Sequence, residues 1–211
     1  MMLKLIIGSL IAMGVVIFVE YQRKPRLKIE IAPAINFNNL MSLRLRVKNL
    51  PLPFIIKWIS RQSALQCHGD ITYHDPYNGQ NIFGREMQIR WVNNPEPIPL
   101  EIKFDDGKCA KMYDPIRFTQ LQRMDIYAGE YEDLDVAVRF KEDRECYGWN
   151  DESYRVSGRN PDWRLDKDQY LIKLTLRSSG EKVSKKFRLL NPNRINDFRI
   201  EDSKKDDPEL N

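Results

Sequence analysis

The two histidines of the chain, His68 and His74, are the first candidates for metal chemistry. If the residues between them form a strand, six residues separate the two rings by about 20 Å, whereas two ligands of one ion lie a few ångströms apart. His68 and Asp70 would share a strand face, but they make no metal site without a third ligand. We therefore predict no metal site. The solvent-facing side of this strand is predicted to carry His68, Asp70, Thr72 and His74, and its core side Cys67, Ile71 and Tyr73.

Nucleophilic and acid-base catalysis have no recognisable motif in this sequence. Cys67 and His68 are adjacent, but neighbours on a strand point to opposite faces and make a poor dyad. There is neither a G-x-S-x-G motif nor a glycine-rich phosphate loop. The acidic residues 130–135 lack the calcium-loop pattern, which favours a solvated turn. Carboxylate pairs for glycoside chemistry cannot be selected without geometry, so we predict no catalytic residue and no cofactor.

An aromatic stretch is the most unusual part of the chain. The letters C-Y-G-W-N-D-E-S-Y occupy residues 146–154, and a tryptophan follows N-P-D at position 163. Exposed loop aromatics contact protein partners or carbohydrate. Alternatively, the two tryptophans cap a core and the Asn-Asp pair holds the loop. The candidate binding residues are Tyr147, Trp149, Asn150, Tyr154 and Trp163.

The elements that must position these residues are mainly strands. Apolar and polar residues alternate with a period of two, which is typical of strands with one buried face. The segments with this pattern are residues 27–31, 43–47, 67–73, 87–91, 100–104, 134–138, 171–177 and 183–190. Turn signals separate them, including D-D-G at 105–107 and S-S-G-E at 178–181. Short helices are predicted only over residues 53–63 and 114–121. The pattern predicts an antiparallel β-sandwich.

An apolar segment precedes this domain. Residues 5–19 contain no charge and no proline, and with a few flanking residues they reach about 28 Å, which suits a single transmembrane helix. A cleaved signal peptide is the rival interpretation, but no A-x-A-like site follows Val19. Gly8 and Ala12 form a small-x-x-x-small pair that favours helix pairing, which is compatible with a homo-oligomer.

The net charge of +4 lies entirely around the apolar segment. Its contributors are Lys4, Arg23, Lys24, Arg26, Lys28 and, with the opposite sign, Glu20. The rest of the chain is neutral overall, which argues against nucleic acid as a partner. Because basic residues stay on the cytoplasmic side and most of them follow the segment, we predict a cytoplasmic soluble domain. The same residues suit anionic membrane lipid.

Three cysteines, Cys67, Cys109 and Cys146, leave at least one thiol unpaired. An odd number favours a reducing compartment, in agreement with the charge pattern. A bridge between Cys67 and Cys146 remains the alternative if the domain lies outside the cytoplasm.

Two pairs of sequence segments resemble those of a known class of domain. L-R-L-R-V-K-N-L at 43–50 and A-L-Q-C-H-G at 64–69 resemble the B and C strands of immunoglobulin-like sandwiches in uncharacterised prokaryotic membrane-anchored proteins. The paired segments 169–178 and 182–191, ending F-R-L-L-N, resemble their F and G strands. The resemblance implies an immunoglobulin-like β-sandwich behind a transmembrane helix, although the Cys-Trp-Cys framework of antibody domains is not recognisable. It implies no activity.

We divide the chain into an anchor with its basic flank (1–24), a β-sandwich domain (25–201) and a disordered polar tail (202–211). The first functional hypothesis is a membrane-tethered binding or scaffolding module with an unknown protein partner. The second is a membrane-tethered hydrolase acting on polysaccharide or peptide, for which a pocket with converging carboxylates or a metal would be the sign. The third is a subunit of a larger membrane complex.

Overall fold

The computed structural model describes residues 2–37, 39–56 and 58–210, with side chains from residue 6 onward. It consists of an N-terminal helix followed by two antiparallel sheets packed against each other. Some predictions concern residues outside this description. These are the side chain of Lys4 beside the apolar segment, Lys57 in the predicted helix 53–63, and Asn211 in the predicted tail.

The described residues form two α-helices and short 3₁₀ turns between many strands. The helices are α1 (Met2–Arg23) and α2 (Pro115–Thr119), with 3₁₀ turns at Phe54–Ile56, Asp151–Val156, Pro161–Trp163 and Ile195–Asp197. The strands are β1 (Leu27–Ile31), β2 (Ile35–Phe37), β3 (Leu40–Asn49), β4 (Ala64–His74), β5 (Met87–Gln88), β6 (Arg90–Trp91), β7 (Leu100–Lys103), β8 (Cys109–Met112), β9 (Met124–Ile126), β10 (Tyr131–Phe140), β11 (Cys146–Gly148), β12 (Arg164–Leu165), β13 (Gln169–Ser178), β14 (Glu181–Leu190) and β15 (Arg199–Asp202).

The two sheets have distinct strand orders. The first runs β1-β3-β10-β11-β12, with β2 also paired to β3 and β6 to β10. The second runs β15-β14-β13-β4-β5, with β9 also paired to β4. The chain changes sheet between β3 and β4, and β7 and β8 form a separate hairpin. The predicted sandwich of antiparallel strands is therefore confirmed at the level of two packed sheets.

Alternation along the long strands explains the packing. In β3, Leu43, Leu45 and Val47 are buried in the core between the sheets, while the alternating Arg44 and Arg46 are only partly buried. The facing sheet adds alternate residues in the same way, so each sheet has one apolar face. These contributions from the second sheet include Cys67, Ile71 and Tyr73 of β4, Tyr170, Ile172 and Leu174 of β13, and Phe187 and Leu189 of β14.

Strand β10 is buried on both faces from Leu134 to Phe140. A register shift after Asp135 inserts one extra residue, Val136, relative to β3. The outward side chain is a charged Asp135 before this bulge and an apolar Val138 after it. The Val136 carbonyl accepts a 2.7 Å hydrogen bond from the Tyr73 hydroxyl, which ties the two sheets together at the bulge.

The prediction that His74 faces solvent is wrong, because His74 is buried. Its Nδ1 lies 2.8 Å from the Gly79 carbonyl oxygen and its Nε2 lies 2.7 Å from Thr72 Oγ1. The loop after β4 folds back over the ring, which strand alternation alone cannot reveal. His68 is half-buried on the same strand face, as expected.

Helix formation differs between the two predicted segments. Asp114 accepts a 2.9 Å hydrogen bond from the Ile116 amide and Pro115 opens α2, so this short helix is confirmed. In the other segment, the described residues 53–56 and 58–63 contain the 3₁₀ turn Phe54–Ile56 and no α-helix. Pro51 and Pro53 lie just before that turn and remove backbone donors there.

The polar tail packs against the second sheet instead of projecting into solvent. Asp207, whose side chain is 1% exposed, pairs with Arg188 of β14, and its Oδ2 accepts a 2.7 Å hydrogen bond from the Lys204 amide. Leu210 is buried and its carbonyl accepts from Lys173 Nζ at 2.8 Å. Composition predicts disorder here because it does not reveal that β14 offers a partly buried basic partner, Arg188.

All three cysteines are free thiols. Cys67 and Cys146 are buried and Cys109 is exposed on β8. Burial raises the pKa of Cys67 to about 12 and raises the pKa of Cys146 as well, so neither is a ready nucleophile at neutral pH.

Candidate functional site

A recess of about 360 Å³ opens on the outer face of the first sheet, over β3, β6 and β10. Ser42 and Val138 contribute from β3 and β10, and Arg90 contributes from β6. Trp149, just after β11, and Tyr154, in the following 3₁₀ turn, complete the wall. We call this site the aromatic recess. Its volume is near the lower end of the range of about 300–1,000 Å³ that is typical of ligand pockets.

The floor of the aromatic recess contains an ion pair in strand register. Asp135 of β10 lies opposite Arg44 of β3, and its Oδ1 is 2.9 Å from Arg44 Nε and 3.2 Å from Ser42 Oγ. On its other side Asp135 lies opposite Arg90 of β6, with Oδ2 3.8 Å from Arg90 Nη1. One buried carboxylate is therefore held between two guanidinium groups.

Arg90 also connects this floor to the aromatic stretch. Its Nη1 and Nη2 donate to the carbonyl oxygens of Trp91 and Asn94 at 2.9 and 2.8 Å. Its Nε lies 2.9 Å from Asp151 Oδ1, an ion pair in which the N–H is not aligned for a hydrogen bond. Burial raises the pKa of Asp151 above its ordinary value, and the nearby Arg90 guanidinium opposes this effect. The charges thus fix the position of the 3₁₀ turn that carries Tyr154.

Trp149 and Tyr154 form an edge-to-face pair with ring centroids 5.4 Å apart. The Tyr154 hydroxyl donates a 3.2 Å hydrogen bond to Glu96 Oε1, and the Arg90 guanidinium lies 5.2 Å from the Tyr154 ring centroid. Burial raises the pKa of Tyr154 to about 12, so the phenol stays neutral and remains a donor. Phe37 of β2 is exposed at the rim. The arrangement offers an aromatic wall, fixed charges and an exposed carboxylate.

Trp163 does not belong to the recess. It is buried in the core between the sheets, its ring centroid lies 5.0 Å from that of Phe83, and its Nε1 donates to Glu152 Oε2 at 3.2 Å. The Arg85 guanidinium lies 4.4 Å from the ring centroid. Trp163 thus lies in the core, where the alternative interpretation of the aromatic stretch places it.

Tyr147 and Asn150 also have structural surroundings. Tyr147 is buried with Phe140 and Val138 in a small apolar cluster on the outer face, against which Trp149 packs. Asn150 is buried at the start of the 3₁₀ turn, where its backbone N–H donates a 3.2 Å hydrogen bond to Ser153 Oγ. Of the five candidate residues, the structure brings Trp149 and Tyr154 together at an open cavity and places Tyr147, Asn150 and Trp163 in packed positions.

The charged members of the recess were missed by sequence reasoning, although a signal was present. Arg44 and Arg46 alternate with core residues in β3, and Asp133 and Asp135 alternate in the same way in β10. Such complementary spacing predicts cross-strand ion pairs if the two strands are neighbours. The register pairs Arg46 with Asp133, whose Oδ1 lies 2.7 Å from Arg46 Nε.

Within the described ranges of the chain, no group of three His, Cys, Asp or Glu side chains is arranged to hold a metal ion. A second depression is also lined by Tyr154 and lies next to α2. There the Tyr113 hydroxyl donates to the Tyr154 carbonyl at 3.0 Å, and the Arg155 guanidinium lies 5.5 Å from the Phe118 ring centroid.

Comparison with known proteins gives no functional assignment. No family model matches the chain, and no curated protein matches it. The structure titled "X-ray structure of Northeast Structural Genomics Consortium target SoR45" is similar over 80% of this chain and 86% of its own, with 13% identity and a TM-score of 0.26. A β-glucosidase from Kluyveromyces marxianus in complex with glucose is similar over 77% of this chain and 15% of its own, with 9% identity and a TM-score of 0.26. Likenesses this distant carry no argument about activity. The chain is a mainly-β protein of two antiparallel sheets behind an N-terminal apolar helix.

Proposed function

We propose that this protein is a membrane-tethered, immunoglobulin-like binding module that receives a segment of a protein partner in the aromatic recess. The observation that carries the proposal is the Trp149–Tyr154 pair, which lines an open cavity beside buried ion pairs on the outer face of the first sheet. Aromatic and arginine side chains in a desolvated pocket are the usual energetic centres of protein interfaces.

The tether is supported by α1. The helix has 22 residues, or about 33 Å, which matches a hydrocarbon core of about 30 Å. None of residues 6–23 is buried against the described part of the chain, so the apolar surface of the helix is left uncovered by these residues. A signal sequence has the same properties, and the mass of the mature protein in purified membranes distinguishes a retained helix from a cleaved one.

The cytoplasmic placement of the domain is inferred from the basic residues at the C-terminal end of α1 and just after it. Arg23, Lys24, Arg26 and Lys28 outnumber the charges before it. A C-terminal alkaline phosphatase fusion that is inactive in cells agrees with this placement, and an active fusion contradicts it.

The immunoglobulin-like topology is supported by the order of the long strands. In such sandwiches strands A, B and E share one sheet and strands C, F and G the other. The order β1-β3-β10 in one sheet and β4-β13-β14 in the other has this arrangement if β3 and β4 are the B and C strands. The short strands β11 and β12 beside β10 are additional elements, and Trp149 follows β11 directly.

The partner is expected to present one apolar or aromatic side chain to the recess, with a basic residue nearby. The cavity accepts a side chain of that size, Phe37 extends its apolar wall, and exposed Glu96 offers the rim a negative charge. A hydrolase has no comparable support, because Asp135 is engaged by two arginines and the carboxylate of Glu96 already accepts from Tyr154.

Photocrosslinking in native membranes tests the proposal. A photoreactive residue at Phe37 is expected to give a specific adduct that Trp149→Ala abolishes, while the same residue at Tyr77, in the loop after β4, gives none. The unfolding midpoint of Trp149→Ala shows whether the domain remains folded. Equal labelling at both positions, or labelling that persists in a folded Trp149→Ala variant, would overturn the recess as the binding site.

A further inference from the structure

Between β3 and β4, residues 51–56 and 58–59 form a short segment that we call the apolar loop. Three of its side chains are among the most exposed apolar groups of the domain: Phe54, Ile55 and Trp58 are 81%, 88% and 73% exposed. Ile59 is buried and holds the loop to the domain. The amides of Ile56 and Ile59 donate to the carbonyls of Pro53 and Ile56 at 3.1 and 3.0 Å, which gives the loop a defined turn.

Both ends of the apolar loop are hydrogen-bonded to the chain that leaves α1. On one side, the Leu50 amide donates to the Arg26 carbonyl at 2.9 Å. On the other, the Gln62 amide donates to the Arg23 carbonyl at 2.8 Å, and Arg61 Nη1 donates to the Lys24 carbonyl at 3.2 Å. The root of the loop is therefore fixed at the C-terminal end of the apolar helix.

That position determines what the loop meets. If α1 crosses a bilayer, its end lies in the headgroup layer, where tryptophan is enriched and where apolar side chains of interfacial segments insert by about 5–10 Å. Arg23, Lys24 and Arg26 at the same point attract anionic headgroups. The combination of exposed apolar side chains and adjacent basic residues is the chemistry of a lipid-surface contact.

We propose that the apolar loop inserts Phe54, Ile55 and Trp58 into the headgroup layer of the bilayer that α1 spans. The inference rests on the proposed membrane tether. It gives the domain a second attachment point, so the sandwich is held at a defined orientation to the membrane instead of moving freely about the end of α1.

The test uses the full-length protein in vesicles of phosphatidylcholine and phosphatidylglycerol that contain lipids brominated near the headgroup. Bromine quenches tryptophan only at short range, and Trp91 and Trp163 are shielded by burial in the core. Trp149 lines the aromatic recess beside Ser42, which is seven residues or about 23 Å along β3 from Asn49, near the end of α1. Strong quenching of the wild type is expected, and Trp58→Phe is expected to lose most of it. This substitution is conservative at an exposed position, so the fold is retained.

A matched control moves the probe to the far end of the domain. Strand β4 starts beside the apolar loop and extends 11 residues, or about 36 Å, to His74. Tyr77 lies just beyond and is 92% exposed. In the Trp58→Phe background, Tyr77→Trp is expected to remain unquenched.

Flotation of the same vesicles separates the two proposals. Protein that floats but shows equal quenching with and without Trp58 overturns the loop insertion and leaves the tether intact. Protein that does not float overturns both. Trp58 fluorescence that is not quenched by brominated lipid but changes with the density of protein in the membrane would show that the apolar loop contacts a second copy of the chain. This result would also overturn the insertion.

Discussion

Arg90 Nε lies 2.9 Å from Asp151 Oδ1, and these two side chains are only 3% and 7% exposed. The pair connects β6 to the 3₁₀ turn that carries Tyr154, so the wall of the aromatic recess depends on a buried charge interaction. Such a pair is costly to break because the remaining charge has no access to water.

We expect Asp151→Ala to lower the free energy of unfolding by about 3–5 kcal/mol, since it leaves Arg90 with an incomplete set of partners. Urea unfolding of the full-length protein in mild detergent measures this loss. The control is Asp168→Ala, which removes a pair with Arg144 in which both side chains are 69% exposed. It should cost about 0–1 kcal/mol. Similar losses in the two variants would contradict the structural role of Asp151.

Trp163 is expected to be a core residue in solution. Trp163→Ala removes a large buried side chain and should lower the free energy of unfolding by about 3–5 kcal/mol. Far-ultraviolet circular dichroism against urea concentration reports the change without depending on tryptophan emission. Tyr77→Ala, at an exposed aromatic, should stay within about 0.5 kcal/mol of the wild type. A tolerated Trp163→Ala would return this residue to the candidate binding surface.

Alternation in the sequence was sufficient for the long strands but not for the recess. It reports which residues of a strand are buried, as for Leu43 and Leu45, but it does not say which strands are neighbours. Arg90 lies in the alternating segment 87–91, which places it on the face opposite the core residues Ile89 and Trp91, but its burial depends on Asp151 from a distant part of the chain. The sequence identifies Tyr154 as an aromatic residue in a loop, but its contact with Trp149 depends on the tertiary structure.

Gly158 permits the close packing of the outer apolar cluster. Its φ is +86°, and a Cβ there would lie 2.8 Å from Trp149 Cζ3 and 2.9 Å from Phe140 Cζ. Gly84 also has a positive φ, +62°, but a Cβ there would meet nothing within 4 Å. Gly84→Ala should therefore cost only the backbone penalty of about 1–2 kcal/mol. Gly158→Ala should cost more in the same urea titration and should shift the Trp149 emission. Equal costs would show that Trp149 does not pack on Gly158.

His74 should make stability depend on pH. Burial lowers its pKa below the ordinary 6.5, and Lys173 on the neighbouring strand acts in the same direction. As the pH falls below 6.5, the His74 side chain of the unfolded chain takes up a proton before that of the folded chain does. The contribution of neutral His74 to the free energy of unfolding is therefore complete above pH 6.5. It is lost as the pH falls through the lower pKa of His74 in the folded chain. Urea unfolding at neutral and mildly acidic pH should show this decline. His74→Gln should flatten it, whereas His68→Gln should retain it; a decline unchanged in His74→Gln would assign it to other groups.

The end of the chain should contribute to stability despite its polar composition. Arg188 and Asp207 form an ion pair in which the carboxylate is 1% exposed, and pairing with Arg188 lowers the pKa of Asp207. Asp207→Ala leaves Arg188 largely buried without its partner and should cost about 3 kcal/mol, near the lower limit for such pairs because Arg188 retains some solvent contact. Asp206→Ala, next to it in sequence, is the matched control and should be nearly neutral. Urea unfolding compares the two. If both variants unfold at the wild-type midpoint, the tail is not packed against β14 and the disorder predicted from its composition would describe it.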